Sequence, residues 1–347
     1  MRGGWIKLLL VPLVTACGLV AGIEDVTVLD AEVGDEGGVL PKRDGGGPGS
    51  PDVTTPPGDA PDDTTVDGAP RTQCDPLKPF GAPVPIAELN SANDDTSPRL
   101  TSDELTVFFA SNRPGHLGGG SIYTAERATK SAPFSAPTLV PVINANNGVV
   151  YHPAITGDGL KIFLQVQFGA PTDIFVATRA STALDFMTPT LLPDPPNLGP
   201  SFEFLPFTSA DGSTLYFSSN RSNSFLLYQS IAVGGVFGSP TLLPAVGTGN
   251  AAVSDTAPVM SADQLSLYFA STRTSPGGTP YDLFVAHRTT ATGNFAPATL
   301  VTELNDPNAG LSDFPSWLSA DNCRLYLTSD RATAGGVSDV YVAARTP

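Results

Sequence analysis

Hydrophobic and polar positions change their pattern twice along the chain. Near the start the cations Arg2 and Lys7 precede an apolar run, Leu8-Leu9-Leu10-Val11-Pro12-Leu13-Val14, which ends in Thr15-Ala16-Cys17. Such a run is shorter than the roughly 20 residues a bilayer-spanning helix needs, and it predicts an export signal over 1–17. From 18 to 73 no apolar period is sustained. Gly45-Gly46-Gly47-Pro48-Gly49 and Pro61-Asp62-Asp63-Thr64-Thr65 typify a stretch that buries too little surface to offset its ordering entropy, which predicts a disordered tether. From 74 onward short apolar runs alternate with turn residues, and this predicts one all-β domain over 74–347.

That domain repeats itself, and the repeat outranks any local motif. The first mark is an aromatic-led segment at Phe80, Phe134, Phe186, Phe237 and Phe295, with successive spacings of 54, 52, 51 and 58 residues. The second is a proline, then an Asp-containing turn, then an apolar strand. Pro98, Asp103 and Val107-Phe108-Phe109-Ala110-Ser111-Asn112-Arg113 form the first copy, and Pro258, Asp263 and Leu267-Tyr268-Phe269-Ala270-Ser271-Thr272-Arg273 the fourth. The third mark is an alternating strand such as Asp282-Leu283-Phe284-Val285-Ala286 or Asp339-Val340-Tyr341-Val342-Ala343. Each unit thus holds four short strands. Five in-phase copies at about fifty residues predict a five-bladed β-propeller of four-stranded antiparallel blades. The last unit runs straight from its third strand into Arg345-Thr346-Pro347, whereas the strand near Phe80 has no unit before it. The N-terminal strand is therefore expected to complete the last blade and hide its edges.

These residues resemble the TolB-type β-propeller repeat of bacterial envelope proteins, whose blades carry a proline, a Ser-x-Asp-Gly turn, an aromatic strand, a Ser-x-Arg and an Asp-Ile-Tyr strand. The resemblance covers about 80–346. It implies the fold and an envelope location, and it carries none of TolB's partners. Two departures matter. Unit two has Gln165-Val166-Gln167 in place of Ser-x-Arg, and unit three has Leu226 in place of the Asp before the third strand. Both blades are expected to lack the polar link that this pair supplies.

Composition sharpens the picture. The chain has 34 acidic and 18 basic residues, a net charge of −16, and no Lys/Arg run that reverses the sign, which argues against nucleic acid as a partner. Twelve of the acids lie in 18–73 against Lys42, Arg43 and Arg71, so the tether repels itself. As a loose coil it spans roughly 40 Å. The ending Thr15-Ala16-Cys17 resembles the bacterial lipobox, which implies a lipid on Cys17 and a membrane anchor. Gly18 after the cysteine implies an outer-membrane destination. If Cys17 is acylated, Cys74 and Cys323 are the remaining thiols in an oxidising compartment. Cys323 lies in the turn between the first and second strands of the last unit, and ring closure brings Cys74 to the same side. A Cys74–Cys323 disulfide is expected, against the alternative of two unpaired surface cysteines.

Candidate chemistry is sparse. His116, His152 and His287 occupy unrelated phases of the repeat and read as surface or packing residues, so neither a metal nor another cofactor is expected. Ser111, Ser219, Ser271 and Ser329 recur in phase, as do Arg113, Arg221, Arg273 and Arg331, which reads as blade architecture with the arginines bridging blade to blade. Asp95, Glu203, Asp255 and Asp313 precede the inner strands. They are the candidate carboxylates, either as an acid and base pair lining the funnel or as structural contacts. Asn-rich segments at 90–95, 144–147 and 305–308 suit turns, with calcium or sugar binding as the alternative. The favoured function is a monomeric, lipid-anchored envelope protein whose propeller binds envelope proteins or surface glycans without catalysis. The alternatives are a carbohydrate-active enzyme and a structural envelope component. Recognition is expected on the face bearing 112–120, 197–205 and 272–281.

Protein purified from membranes should give a mature chain beginning at acylated Cys17 by mass spectrometry. Cys17→Ser should shift it out of the detergent phase, and unchanged partitioning would refute the anchor.

Overall fold

One local device makes every inner hairpin. In the computed structural model, which describes residues 74–115, 120–145, 148–169, 171–243, 252–274, 280–307, 310–332 and 336–347, a Thr or Ser hydroxyl donates to the carboxylate of the turn aspartate. Thr101 meets Asp103 at 2.6 Å, Thr156 meets Asp158 at 2.6 Å, Ser209 meets Asp211 at 2.6 Å, Ser261 meets Asp263 at 2.5 Å, and Ser319 meets Asp321. The same oxygen accepts the N–H two residues on, from Leu105, Leu160, Ser213, Leu265 and Cys323. The residue between is left-handed in all five turns: Glu104, Gly159, Gly212, Gln264 and Asn322 have φ from 58° to 71°. The aspartate fixes the turn from its side chain, so the next residue takes the conformation that glycine and asparagine adopt most readily.

These hairpins build five antiparallel sheets. A short strand, β1 (Val84–Pro85), comes first. The first blade is β2 (Asp95–Leu100), β3 (Thr106–Ser111), β4 (Ser121–Glu126) and β5 (Thr138–Leu139). After a one-turn helix, α1 (Pro141–Asn144), the second is β6 (Val149–Ile155), β7 (Lys161–Gln167), β8 (Thr172–Thr178) and β9 (Thr190–Leu191). The third is β10 (Glu203–Thr208), β11 (Thr214–Ser219) and β12 (Leu226–Val233), whose outer edge pairs with both β13 (Val236–Phe237) and β14 (Thr241–Leu242). The fourth is β15 (Asp255–Met260), β16 (Ser266–Ser271), β17 (Asp282–His287) and β18 (Thr299–Leu300). The fifth is β19 (Asp313–Leu318), β20 (Arg324–Ser329) and β21 (Asp339–Ala344), completed by β1. Innermost strands of neighbouring blades touch all the way round, including β19 with β2, so the ring is closed.

Each innermost strand carries a bulge at its proline. Proline lacks the N–H a ladder needs; the bulge leaves Pro98, Pro206 and Pro258 unpaired, whereas Pro153 and Pro315 stay in register beside it. In the first four blades the residue before it is left-handed: Ser97, His152, Leu205 and Ala257. In the second strands Phe109, Phe163, Phe217, Phe269 and Leu327 are fully buried, as the middle of a strand covered by blades on both faces must be.

Closure is visible in a repeated contact. A second series of arginines lies over the leading phenylalanines: Arg127 over Phe134, Arg179 over Phe186 and Arg288 over Phe295, each 4.5 Å from the ring centroid. Arg345 lies 4.1 Å over Phe80, so the first phenylalanine takes the outer position of the last blade. Val84 pairs with Val342 and Pro85 with Tyr341. At this seam Glu104 of the first blade receives Arg324 of the fifth through Nε at 2.6 Å and Nη2 at 2.5 Å, and Arg127 donates to the Tyr326 hydroxyl at 3.0 Å. A Cys74–Cys323 disulfide, with Cα atoms 5.9 Å apart, ties the segment before β1 to the last blade's hairpin. The expected export signal, the acidic tether and Cys17 lie outside the described residues. Within them no helix is long and apolar enough to cross a membrane.

Non-reducing peptide mapping should recover Cys74 and Cys323 in one linked pair. Replacing both with Ser should lower the unfolding free energy, by up to roughly 5–6 kcal/mol on the chain-entropy model for a loop of this length. Free thiols at both positions would overturn the linkage.

Candidate functional site

The four candidate carboxylates and their blades show why these residues recur. Asp95, Glu203, Asp255 and Asp313 start the innermost strands at the crossover face, and each is buried. Arg113 reaches Asp95 at 2.6 Å, Arg221 reaches Glu203 at 3.0 Å, Arg273 reaches Asp255 at 2.9 Å, and Arg331 pairs with Asp313. The in-phase serines Ser111, Ser219, Ser271 and Ser329 accept the Nε–H of the same arginines, at 2.8 to 3.1 Å. Burial raises the Glu203 carboxyl, opposed by the Ser219 hydroxyl, the Leu198 N–H and Arg221.

This corrects two expectations. The Ser-x-Arg arginines bind carboxylates of their own blade and do not join blades through them. Their Nη2 atoms also hold the arriving crossover, at Leu89 O, Pro196 O and Leu304 O. The blade-to-blade role belongs to the second series, since Arg345 reaches the Tyr268 hydroxyl at 2.9 Å and Arg127 the Tyr326 hydroxyl, each on the preceding blade. The third blade keeps its link despite Leu226, because the partner of the arginine is the carboxylate before the first strand. Only the second blade lacks it, with Val150 and Phe168 at the two phases.

The leading asparagines are also structural. Asn90, Asn144, Asn197 and Asn305 each accept an N–H from a third strand and donate back to the same residue's carbonyl: Val340, Ile122, Ile174 and Leu283. The amide thereby continues the short outer strand by one rung. Among the described residues no three His, Cys, Asp or Glu gather as metal ligands. His287 shares a hydrogen bond with Ser266 at the end of β17, and His116 lies outside the described residues.

The ring axis holds the unusual chemistry. Opposite Phe108, Phe163, Tyr216, Tyr268 and Tyr326 the innermost strands carry Arg99, Ala154, Phe207, Val259 and Trp317, so one blade of the five places a charge there. Arg99 is 1% exposed and crosses the channel to two other blades, donating from Nε to Pro153 O at 3.1 Å and from Nη2 to Pro206 O at 3.0 Å. Its Nη1 has no hydrogen-bond partner, and its guanidinium lies 5.3 Å from the Phe207 ring centroid. Burial brings this guanidinium down to about 9. Beside it Ser97 Oγ and His152 Nδ1 are 2.5 Å apart, and burial, with the Arg99 charge second, pushes His152 down to about 3.

Beyond Arg99 the channel widens into a cavity of about 280 Å³ on the hairpin-turn face, with walls from all five blades. Phe207, Tyr216 and Trp317 supply aromatic surface, and Ser209, Ser261 and Gln264 supply hydroxyl and amide groups. Burial raises Tyr216 to about 12, which keeps its hydroxyl a donor. Asp211 is the one carboxylate of the lining, and it is held by its own turn, with Ser209 and Ser213 lowering its pKa. The turns of the first three blades are laced together by Ser102 N to Gly157 O at 2.9 Å and Gly157 N to Ala210 O at 2.7 Å. A Cβ on Gly157 would stand 2.1 Å from Ser102 Oγ, so the lacing needs glycine there. Among the described residues this lacing does not continue into the fourth and fifth blades. The cavity opens on the face opposite the loops 112–120, 197–205 and 272–281, parts of which lie outside the described residues.

Sequence reasoning missed Arg99, Glu104 and the second arginine series. The series has a signal, Ala-x-Arg at the end of the third strand: Ala125 to Arg127, Ala177 to Arg179, Ala286 to Arg288, Ala343 to Arg345.

His152 generates a pH prediction. In the unfolded chain it titrates near 6.5, and in the ring it stays neutral until about 3. Below pH 6.5 the unfolded state therefore binds a proton that the folded state does not, and stability falls with acidification. From pH 7 to pH 4 this group should cost about 3 kcal/mol. His152→Asn should flatten that part of the stability profile, and an unchanged profile would refute the assignment.

No family model matches the chain, and no curated protein matches it. Solved structures do. TolB from Acinetobacter baumannii shares 17% identity over 75% of this chain and 56% of its own, with a TM-score of 0.43, so the chain spans little more than half of that protein. A putative TolB from Agrobacterium tumefaciens shares 17% identity over 76% and 85%, with a TM-score of 0.44. An α-L-arabinofuranosidase from Podospora anserina, in complex with cellotriose, shares 11% identity over 80% and 99%, with a TM-score of 0.50. At these identities the likeness is one of fold.

Proposed function

We propose that this chain is a bacterial envelope lipoprotein whose propeller is a non-catalytic binding module, taking a segment of an envelope glycan into the central cavity of the hairpin-turn face. The observation that carries this reading is the cavity itself: a concavity with walls from all five blades, in which aromatic rings stand beside neutral hydroxyl and amide groups. Sugars present apolar C–H faces and a rim of hydroxyls, and such a lining meets both. The carboxylates that would serve a glycosidase are on the other side of the ring, buried and paired with arginines. Asp211, within the cavity, lacks a second carboxylate among the described lining residues.

Oligosaccharides released from the envelope should change Trp317 fluorescence in a saturable titration. Ala262→Trp, on the exposed lip of the cavity, should weaken capture at least tenfold without lowering the melting temperature. Undiminished capture would overturn the site. Turnover of the same glycans, lost in Glu203→Gln or Asp255→Asn with the fold intact, would overturn the non-catalytic reading in favour of a carbohydrate-active enzyme.

A further inference from the structure

Exposed apolar side chains are unevenly shared between the two faces of the ring. In an antiparallel blade the connection between third and fourth strands emerges on the same face as the inner hairpin turns. Leu184 and Met187, in that connection of the second blade, are 56% and 68% exposed, and Ile231, Val233 and Val236 of the third blade are 54%, 81% and 69% exposed. Leu77, beside the disulfide on this face, is exposed as well. On the opposite face, among the described residues, the large exposed apolar side chains are Phe168 and Leu198.

The third blade departs from its neighbours here. Its third strand is prolonged to Val233 and returns through Gly234-Gly235, both at positive φ, into β13. Two left-handed central residues give the tight turn whose twist matches the strands, so the hairpin projects as a defined tip. The arginine that caps the leading phenylalanine in the other four blades is replaced by Ala232. From Ser222 to Ser254 the sequence runs 33 residues without a charged side chain. The corresponding connections of other blades carry Arg127 and Lys130, Arg179 and Asp185, or Arg288. A tip with no charge to desolvate and three exposed aliphatic side chains has the composition of a surface that enters the boundary region of a bilayer.

We propose that the hairpin-turn face rests on a lipid surface, with the Val233–Val236 tip entering the bilayer boundary and Met187 and Leu184 beside it. The covalent chain favours this occupant over a second copy or a protein partner. Residues 1–73 join the ring at Cys74, which the disulfide fixes on this same face, and they include the apolar run 8–14 and Cys17. The partner surface is a neutral one, because the tip has no cation for anionic headgroups. This inference is argued from the exposed tip and the covalent chain and not from the glycan reading, whose cavity opens on the same face, so a docked ring would meet its glycan at the membrane.

The disulfide leaves Cys17 as the one free thiol, so the chain from Cys17 onward, which retains the whole ring, can be coupled at that residue to a maleimide lipid in phosphatidylcholine vesicles with brominated acyl chains. Coupling supplies the anchor whether or not cells acylate Cys17, and a roughly 40 Å tether lets either face reach the bilayer. Val236→Trp should gain an emission that is blue-shifted and quenched several-fold by the bromolipid, while Phe168→Trp, on the opposite face, should gain one that is not. An unquenched Trp at 236 in a folded ring overturns the proposal, as does equal quenching at 168. A blue shift that appears without lipid and grows with protein concentration overturns it in favour of self-association.

Discussion

A ring of blades is only as sound as its seam, and here the seam is made by residues from opposite ends of the domain. The outer strand of the last blade is two residues long, so its two ladder pairs are a modest link. The closure is carried by what surrounds them: Arg345 over Phe80, the disulfide, and Glu104 gripped by Arg324. Glu104 sits at a left-handed position where two other blades use glycine, and a side chain there is retained at a conformational cost of order 1–3 kcal/mol. Breaking a buried ion pair by removing one partner costs about 3–5 kcal/mol, which exceeds that strain. The central cavity has five walls only because this seam holds.

Two arginine series then divide the labour of the ring. One, at the crossover face, neutralises the buried carboxylates at the starts of the innermost strands and holds each arriving chain segment. The other, at the hairpin-turn face, stacks on the leading phenylalanine of its own blade and, at Arg127 and Arg345, reaches the preceding blade's tyrosine hydroxyl. Replacing tyrosine by Phe108 in the first blade leaves Arg179 with a ring contact at 5.8 Å in place of a hydrogen bond. The structure thus tolerates loss of individual members while the pattern as a whole persists.

What the sequence made legible follows from phase. Prolines, turn aspartates and aromatic strands recur at fixed offsets, so blade number, strand order and the Cys74–Cys323 juxtaposition could be read without coordinates. Partners within a repeat were harder, because several acidic residues occupy compatible phases. The aspartate before the third strand competes with the one before the first, and only the Arg221–Glu203 contact beside Leu226 separates them. Arg99 and Glu104 were hidden for the opposite reason. Each breaks the repeat at one position, and a single departure has no period to announce it. The cavity of the hairpin-turn face had no sequence signal, because loop length is visible in a sequence and the widening of a channel is not.

The lacing of Ser102, Gly157 and Ala210 has a mechanical corollary. Among the described residues three blades share a backbone girdle at the cavity mouth, and the fourth and fifth stand outside it. Backbone ties should make the mouth stiffer on the girdled arc, so a guest that needs more room than 280 Å³ is expected to find it beside Met260, Ala262 and Trp317, where the disulfide ties the last blade to the segment before β1.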